Sequence, residues 1–370
     1  MLGNIGVMLH TGDLSIDEIV RFAKTAESLG YEGFWITEES GKEAFSILGV
    51  LARETERINL GTSIVNFYSR TPMLLAMGAS TIYRMSNGRF KHYGLGSGGI
   101  GFMEQGHGIK MERPLARAKE VLDIVRGYLT SERFSYEGQW FNPKNFHLRE
   151  GPLPEPIPLY ISALGPKMVS LAARMADGLI TNWLTEESYE MYYDIIKKEA
   201  ESVGRDPKSV KLLSLTMIAG EDDASVEAMR RGLAFYFASP HYHPIAEVSG
   251  YGKEAKEIQA VWQTRDYVAA SRLVTDAIVE KFAVMGSPEQ RAKKLRWMMD
   301  LGVYPIMYPI MRHGHTVEDH FLVAELTAKY LGQPSTQATK EEESLFHPET
   351  RLSPLPDGQQ GGKEVQHDHA

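Results

Sequence analysis

The chain has 370 residues, of which 43% are hydrophobic, so it can bury a large core in one α/β barrel or in two ordinary domains. Its formal net charge of −8 gives no sign of a nucleic-acid-binding or anionic-membrane surface, and we expect neither partner. It contains no cysteine, which excludes disulfides and thiolate chemistry. The first residues, MLGNIGVMLHTGD, predict a strand rather than a signal peptide, and no apolar run is long enough to span a bilayer. We therefore expect a cytoplasmic protein.

Strand-like and helix-like segments alternate along the chain. Ser15, with Glu18 three residues later, forms a capping-box pattern that begins the first helix. The Ser-Pro-Glu run at Pro288 begins a later helix in the same clear way. The predicted strands are 4–9, 33–37, 58–65, 90–96, 158–162, 179–182, 210–219 and 304–308. The predicted helices are 16–29, 44–55, 72–85, 115–129, 167–175, 189–204, 288–302 and 317–331.

Eight strands that alternate with helices indicate a parallel sheet, and eight such units over this length predict a (β/α)8 TIM barrel. The alternative is a doubly wound open sheet. The even spread of units and the absence of GxGxxG after the first strand argue against it. We predict one barrel domain over residues 1–333.

Two insertions interrupt the alternation, after the fourth and the seventh strand. Residues 99–156 contain one helix and the extended run FSYEGQWF, and residues 225–285 are mainly helical. We expect both on the C-terminal side of the barrel, where active sites of this fold lie. The last segment, 334–370, is polar and rich in Pro and Gly, which predicts a disordered C-terminal tail.

The segment 157–183, IPLYISALGPKMVSLAARMADGLITNW, predicts a βαβ unit with a short helix. Gly165-Pro166 ends its first strand and begins the helix, so backbone N–H groups, the helix dipole and Lys167 could together bind an anion such as phosphate. On this unit alone, a structural turn with a solvated lysine is the favoured interpretation, because such turns are common.

Six segments, in the order of the predicted elements, resemble the luciferase-like flavin and deazaflavin oxidoreductases. They are GYEGFWITEE, NLGTSIVNFYSRTP, GLGSGG, RAKEVLDIVRGYLTSERFSYEGQWFNPKNFHL, ISALGPKMVSLAARMADGLITNW and GSPEQRAKKLRWMMDLGV. The LGPKM and NLGTS…RTP segments are most similar to the coenzyme F420-dependent branch, which includes methylenetetrahydromethanopterin reductase. The resemblance implies a homodimer that needs no metal and transfers hydride between F420 and a small or pterin-like substrate.

The resemblance also implies which residues hold the cofactor. The motif around GTSIV has a non-prolyl cis peptide that backs the cofactor ring, and this bond maps to Ser63–Ile64. The family's phosphate loop maps to the residues at the start of the short helix. The resemblance therefore favours an anion site there over a structural turn. The implied cofactor-binding residues are Ser63, Ile64, Asn66, Gly96, Ser97, Gly98, Ala163, Leu164, Gly165, Pro166, Lys167, Asn182 and Trp183.

Three carboxylates lie at strand ends, where a side chain could donate or accept a proton during hydride transfer. Glu38 and Glu39 follow the second strand, and Glu104 follows the fourth. By resemblance, Glu38 replaces an Asp near the ring, Glu39 replaces a His, and Glu104 matches a glutamate proposed to transfer a proton. We expect at least one of them to be catalytic, with Glu104 and Glu38 ranked above Glu39. If two of these carboxylates share a closed pocket, the repulsion between their charges raises the pKa of one of them.

Two other functions stay open at this point. The first is an FMN-dependent monooxygenase of the same superfamily, which would consume dioxygen. The second is a non-catalytic barrel that binds a cofactor, which the replacement of His by Glu39 favours.

Overall fold

In the computed structural model, eight parallel strands close into a barrel in sequence order, β1 to β8. The structure describes residues 2–9, 11–12, 14–38, 40–220, 222–310 and 317–332. The predicted (β/α)8 barrel is confirmed. Glu39 and the predicted tail, 334–370, lie outside the described residues.

The strands are β1 (Gly6–Leu9), β2 (Gly33–Ile36), β3 (Asn59–Asn66), β4 (Phe90–Gly96), β5 (Leu159–Ser162), β6 (Gly178–Asn182), β7 (Lys211–Ile218) and β8 (Tyr304–Pro309). The helices are α1 (Ile16–Leu29), α2 (Ala44–Glu54), α3 (Pro72–Met85), α4 (Pro114–Thr130), α5 (Pro166–Met175), α6 (Glu186–Glu201), α7 (Asp223–Phe237), α8 (His243–Val248), α9 (Gly252–Gln263), α10 (Tyr267–Arg272), α11 (Asp276–Phe282), α12 (Pro288–Asp300) and α13 (Val317–Leu331). No helix in this part of the chain has the length and hydropathy of a membrane span.

Local capping explains where several helices begin. Ser15 and Glu18 form the predicted capping box at α1, and Ser287 caps α12 in the same way. The predicted helix 189–204 begins earlier, at Glu186, because Thr185 and Ser188 form a capping box that the sequence analysis missed. The predicted bounds of α3, α13 and β4 match the observed ones.

The insertion after β7 is confirmed, whereas the prediction for residues 99–156 is half wrong. Helices α7 to α11 lie between β7 and α12, on the C-terminal side of the barrel. By contrast, α4 packs between α3 and α5 as the fourth barrel helix. Residues 131–158 therefore leave from and return to the N-terminal side, where the Leu153 N–H donates to the Leu129 carbonyl at 2.8 Å.

Aromatic rings fill the N-terminal half of the barrel. Trp35 stacks on His92 with centroids 4.6 Å apart, and Tyr304 packs against both rings. Glu32 lies below them, where it accepts hydrogen bonds from Tyr304 and, at 2.6 Å, from Asn59 Nδ2. His92 Nε2 lies 3.0 Å from the same carboxylate. A carboxylate thus closes this end of the barrel with three polar partners.

We predict that Glu32→Gln lowers the free energy of unfolding at pH 7 by about 1–3 kcal/mol, because it weakens hydrogen bonds to a charged group. Burial raises the pKa of Glu32, but the bonds from His92, Tyr304 and Asn59 outweigh burial and lower it overall. A lowered folded-state pKa adds stability above the unfolded-state value of about 4.3, and this stability is lost as pH falls through the folded pKa.

Urea unfolding between pH 7 and pH 3 measures both effects. The wild-type chain is expected to lose more stability than Glu32→Gln below about pH 5. Glu190→Gln, at an exposed position on α6, is the matched control. Parallel pH profiles for the wild type and Glu32→Gln would contradict the prediction.

Candidate functional site

The C-terminal mouth of the barrel has a floor made by five strands. Gly94 faces the interior, because a Cβ there would lie 2.6 Å from Ile180 Cδ1 across the barrel. Side chains alternate along strands, so Gly96 and Asn182, which lie two positions beyond Gly94 and Ile180, also face inward. The mouth floor, as we name it, consists of Ile64, Gly96, Ser162, Asn182 and Leu215.

Contacts and exposure support this arrangement of the mouth floor. A Cβ on Gly96 would lie 2.4 Å from Ser162 Oγ and 2.7 Å from Ile64 Cγ1. Leu215 pairs in register with Asn182. Ile64, Ser162 and Leu215 stay partly exposed, although most residues of these strands are buried. The floor is therefore accessible from the mouth, and its two large side chains, Ile64 and Leu215, are apolar.

The N-terminus of α5 opens beside this floor. The backbone N–H groups of Gly165 and Lys167 have no hydrogen-bond acceptor among the described residues. A Cβ on Gly165 would meet no atom within 4 Å, and the Lys167 side chain is exposed. Free N–H groups, a helix dipole and a lysine with open space in front of them fit an anion.

The other loop residues have less capacity for an anion. The Ala163 N–H donates to the Ile180 carbonyl at 2.9 Å, and Ala163 is buried. The Leu164 carbonyl accepts from Tyr192 Oη at 3.3 Å. Pro166 has no N–H. Gly165 and Lys167 are thus the two positions that the loop leaves open.

The cis peptide expected between Ser63 and Ile64 is present. The register between β3 and β4 shifts between Thr62 and Val65, which places a bulge at this point. Ser63 is buried, and the Ile64 carbonyl accepts from the Glu38 N–H at 3.2 Å. Ile64 therefore reaches the mouth floor from a kinked strand end.

Asn66 connects the loops that follow β3 and β4. Its Nδ2 donates to the Ser97 carbonyl, and its Oδ1 accepts from the Tyr68 N–H at 2.6 Å. A Cβ on Gly98 would lie 2.7 Å from Asn66 Nδ2, so Gly98 packs on the same amide. These contacts give Asn66 a structural role; the contacts of Asn66, Ser97 and Gly98 with a cofactor stay predictions.

Asn182 and Trp183 join the barrel to the helical insertion. Asn182 Nδ2 donates to Tyr242 Oη at 3.1 Å, and its buried Oδ1 has no hydrogen-bond partner among the described residues. Trp183 is 1% exposed, and its Nε1 lies 2.9 Å from Met217 Sδ. Four rings of the insertion surround it: Tyr236, Phe237, Tyr242 and Phe282. This packing occupies the Trp183 ring, and its contact with a cofactor stays a prediction.

Glu38 is bound on both carboxylate oxygens. Arg70 donates to Oε2 and, at 2.6 Å, to Oε1, and the two side chains are 12% and 8% exposed. Arg70 also pairs with Glu43. Burial alone would lower the pKa of Arg70, but Glu38 and Glu43 raise it overall. A bidentate ion pair occupies both carboxylate oxygens, which favours a positioning role for Glu38.

Glu104 lies on a π-helical turn, Phe102–Gly106, that follows β4. Its side chain is exposed and makes no hydrogen bond or ion pair with another described residue. No hydrogen bond between described residues joins it to Glu38, and Arg70 already occupies both Glu38 oxygens. π-Helical turns are frequent at functional sites, and this one faces the mouth side of the barrel.

The sequence analysis missed Arg70 and Tyr68, which organise this face. Arg70 lies in the segment NLGTSIVNFYSRTP, and its place directly after a strand end was an available signal. The partner of Arg70 could not be inferred, because Glu38 is 32 positions away. In the described part of the chain, no three His, Asp or Glu side chains gather as metal ligands.

Comparisons with known proteins agree with the barrel fold. The family model described as luciferase-like monooxygenase matches residues 1–304. A 5,10-methylenetetrahydromethanopterin reductase from Methanolobus tindarius is 30% identical over 298 residues, covering 78% of this chain and 89% of that protein.

Two solved structures share the fold. The coenzyme F420-dependent tetrahydromethanopterin reductase from Methanopyrus kandleri has a TM-score of 0.75 at 23% identity, covering 89% of this chain and 98% of its own. The oxygenating constituent of 3,6-diketocamphane monooxygenase from Pseudomonas putida, in complex with FMN, has a TM-score of 0.63 at 16% identity. It covers 90% of this chain and 98% of its own.

We predict that Arg70→Met lowers the free energy of unfolding by about 3–5 kcal/mol, because it leaves the buried Glu38 carboxylate without its cation. Urea unfolding measures this. The matched control is Lys24→Met, which breaks an ion pair with Glu54 that is about half exposed and should cost about 0–1 kcal/mol. Equal, small effects for both variants would show that the Glu38–Arg70 pair does not stabilise the mouth.

Proposed function

The chain belongs to the luciferase-like monooxygenase family, and we propose that it is an oxidoreductase that uses coenzyme F420. It would transfer hydride between the deazaflavin and a small or pterin-like substrate. The observation that carries this proposal is the open N-terminus of α5 beside an accessible apolar floor. The relative that is 30% identical, named as a methylenetetrahydromethanopterin reductase, supports the F420 branch.

The residues at the mouth fit the two ends of such a cofactor. The N–H groups of Gly165 and Lys167 would bind its phosphate, and the Lys167 side chain would add positive charge. Ile64 and Leu215 offer an apolar surface to a flat ring. The phosphate loop and the mouth floor adjoin at Ser162, the last residue of β5.

When bound, F420 supplies hydride chemistry at its ring carbon. The protein must hold the two reacting carbons in contact, exclude water and manage a proton. Ile64 and Leu215 would exclude water from the face of the ring that lies on them. Glu104 would give or take the proton at its carboxylate, because its oxygens are not engaged by described residues. Glu38, held by Arg70, would fix the loop beside the ring.

We predict that F420 binds with micromolar or tighter affinity and that Gly165→Asp weakens binding more than tenfold. The reason is that Gly165→Asp places a negative charge in the cradle, where like charges repel. Gly165→Ala is the matched control: Gly165 has φ −97°, and a Cβ there meets nothing within 4 Å. It should bind F420 as the wild type does.

Fluorescence quenching and anisotropy with F420 and, separately, FMN measure this binding. Selective binding of FMN would contradict the proposal and favour the monooxygenase alternative, for which oxygen uptake is the next assay. F420 binding that Gly165→Asp leaves unchanged would place the phosphate elsewhere.

We also predict that Glu104→Gln lowers kcat by about 10²–10⁴-fold, as loss of a general acid or base does, and leaves F420 affinity unchanged. The assay is oxidation of reduced F420 with methylenetetrahydromethanopterin as acceptor. Glu38→Gln should mainly lower stability, because the neutral Gln amide cannot form the ion pair with Arg70. A normal kcat for Glu104→Gln would exclude this residue as the proton-transfer group.

A further inference from the structure

The loop that carries Glu104 is anchored at both ends by one connection, the β3–α3 turn. This loop, residues 97–113, begins at Ser97, whose carbonyl accepts from Asn66 Nδ2. Near its other end, the Glu112 carbonyl accepts from Tyr68 Oη at 2.7 Å. Asn66 Oδ1 in turn accepts from the Tyr68 N–H. Asn66 and Tyr68 therefore join the two ends of the loop.

A second segment braces Tyr68 from outside. Residues 131–158 leave the N-terminal side of the barrel and run back along α4, where Tyr136 Oη donates to Asp123 at 3.2 Å. We name residues 138–141 the hairpin tip. The side chain of Gln139 in this tip accepts from Arg113 Nη1 at 2.9 Å. Arg113 is the last residue of the Glu104 loop.

A buried carboxylate holds the backbone of the hairpin tip. Glu120 on α4 is 4% exposed and accepts from the N–H groups of Trp140 at 3.1 Å and Phe141 at 2.8 Å. A Cβ on Gly138 would lie 1.8 Å from Glu120 Oε1. Only glycine therefore lets the tip approach α4 so closely.

Arg117 holds the rings of the tip against Tyr68. Its guanidinium carbon lies 4.9 Å from the Tyr68 ring centroid, 5.6 Å from that of Trp140 and 5.2 Å from that of Phe141. Arg117 forms no ion pair with another described residue, so its charge is met by aromatic faces. Arg117 lies one turn before Glu120, so one face of α4 binds both the backbone and the rings of the tip.

We propose that the hairpin tip, Arg117 and Tyr68 form a brace that positions the Glu104 loop for proton transfer, with Tyr68 as the positioning residue. This inference rests on the proposed function of Glu104. The physical reason is that the Glu104 side chain is exposed and makes no bond of its own to another described residue. Its place therefore depends on the backbone of the loop, which the buried Met103 and the two bonded loop ends hold. Tyr68 acts through the Glu112 carbonyl and touches no reacting atom.

The first test measures the anchoring without any turnover. Tyr68→Phe removes the bond to the Glu112 carbonyl and keeps the ring on Arg117. Amide hydrogen exchange of peptides covering residues 98–112 should rise by about three- to tenfold, the loss of one hydrogen bond. Tyr193→Phe, half exposed on α6, is the matched control and should leave this exchange unchanged. Unchanged exchange in Tyr68→Phe would overturn the proposal.

The second test measures positioning. With reduced F420 and methylenetetrahydromethanopterin, Tyr68→Phe should lower kcat by about 10- to 100-fold, as misplacement of a catalytic group does, with KM and F420 affinity unchanged. In the Glu104→Gln background the same change should have no further effect, because coupled residues are not additive. A Tyr68→Phe effect that persists in that background would overturn the proposal.

Trp140→Leu distinguishes the effect of the hairpin tip from that of the Tyr68–Glu112 hydrogen bond. It removes one ring from Arg117 and should raise exchange of residues 98–112, although Tyr68 Oη is intact. Exchange that rises only at the hairpin tip would overturn the role of the tip. Absence of turnover in the wild-type chain would instead refute the proposed function, while the exchange experiments still decide the anchoring.

Discussion

Closure of the eight parallel strands is the constraint on which the rest of this molecule depends. Closure leaves no free sheet edge, and it forces every second side chain of each strand into one narrow interior. At the N-terminal end, large rings such as Trp35 and Tyr304 fill that interior. At the C-terminal end, small and apolar residues such as Gly96 and Leu215 leave a floor on which a ligand can lie. The same alternation thus makes one end a core and the other a site.

Buried carboxylates in this chain are held by donors, and this separates structural acids from the catalytic candidate. Glu32 is bonded by three side chains, Glu38 by Arg70, and Glu120 by two backbone N–H groups. A buried charge is tolerated only with such partners, and each pairing commits the oxygens to structure. Glu104 differs because it lies exposed on a π-helical turn. Its position therefore depends on the loop that carries it, more than on its own contacts.

Local signals predicted much of the fold from sequence. The start of α1 followed from Ser15 and Glu18, and that of α12 from the Ser-Pro-Glu run at Pro288, because caps are formed within a few residues. The start of α5 was predicted for the same reason, since Gly165-Pro166 is a local start signal. A phosphate site at this start was implied by the family resemblance and stays a prediction. The location of residues 131–158 was predicted wrongly, because it depends on α4 returning the chain to the N-terminal side. The segment's extended, aromatic composition is compatible with either face of the barrel.

The sequence by itself determined the order of the barrel elements, the barrel, the family resemblance and, to within one residue, the position that ends each strand. Those properties depend on periodicity, capping and motif order, which act over short distances along the chain. Tertiary structure alone decided that Glu38 is bound to Arg70, that Trp183 lies among rings of the insertion, and that Tyr68 lies beneath the hairpin tip. These pairings join residues from 32 to 99 positions apart. Barrel closure and the packing of the insertions bring them together, and no local pattern contains that information.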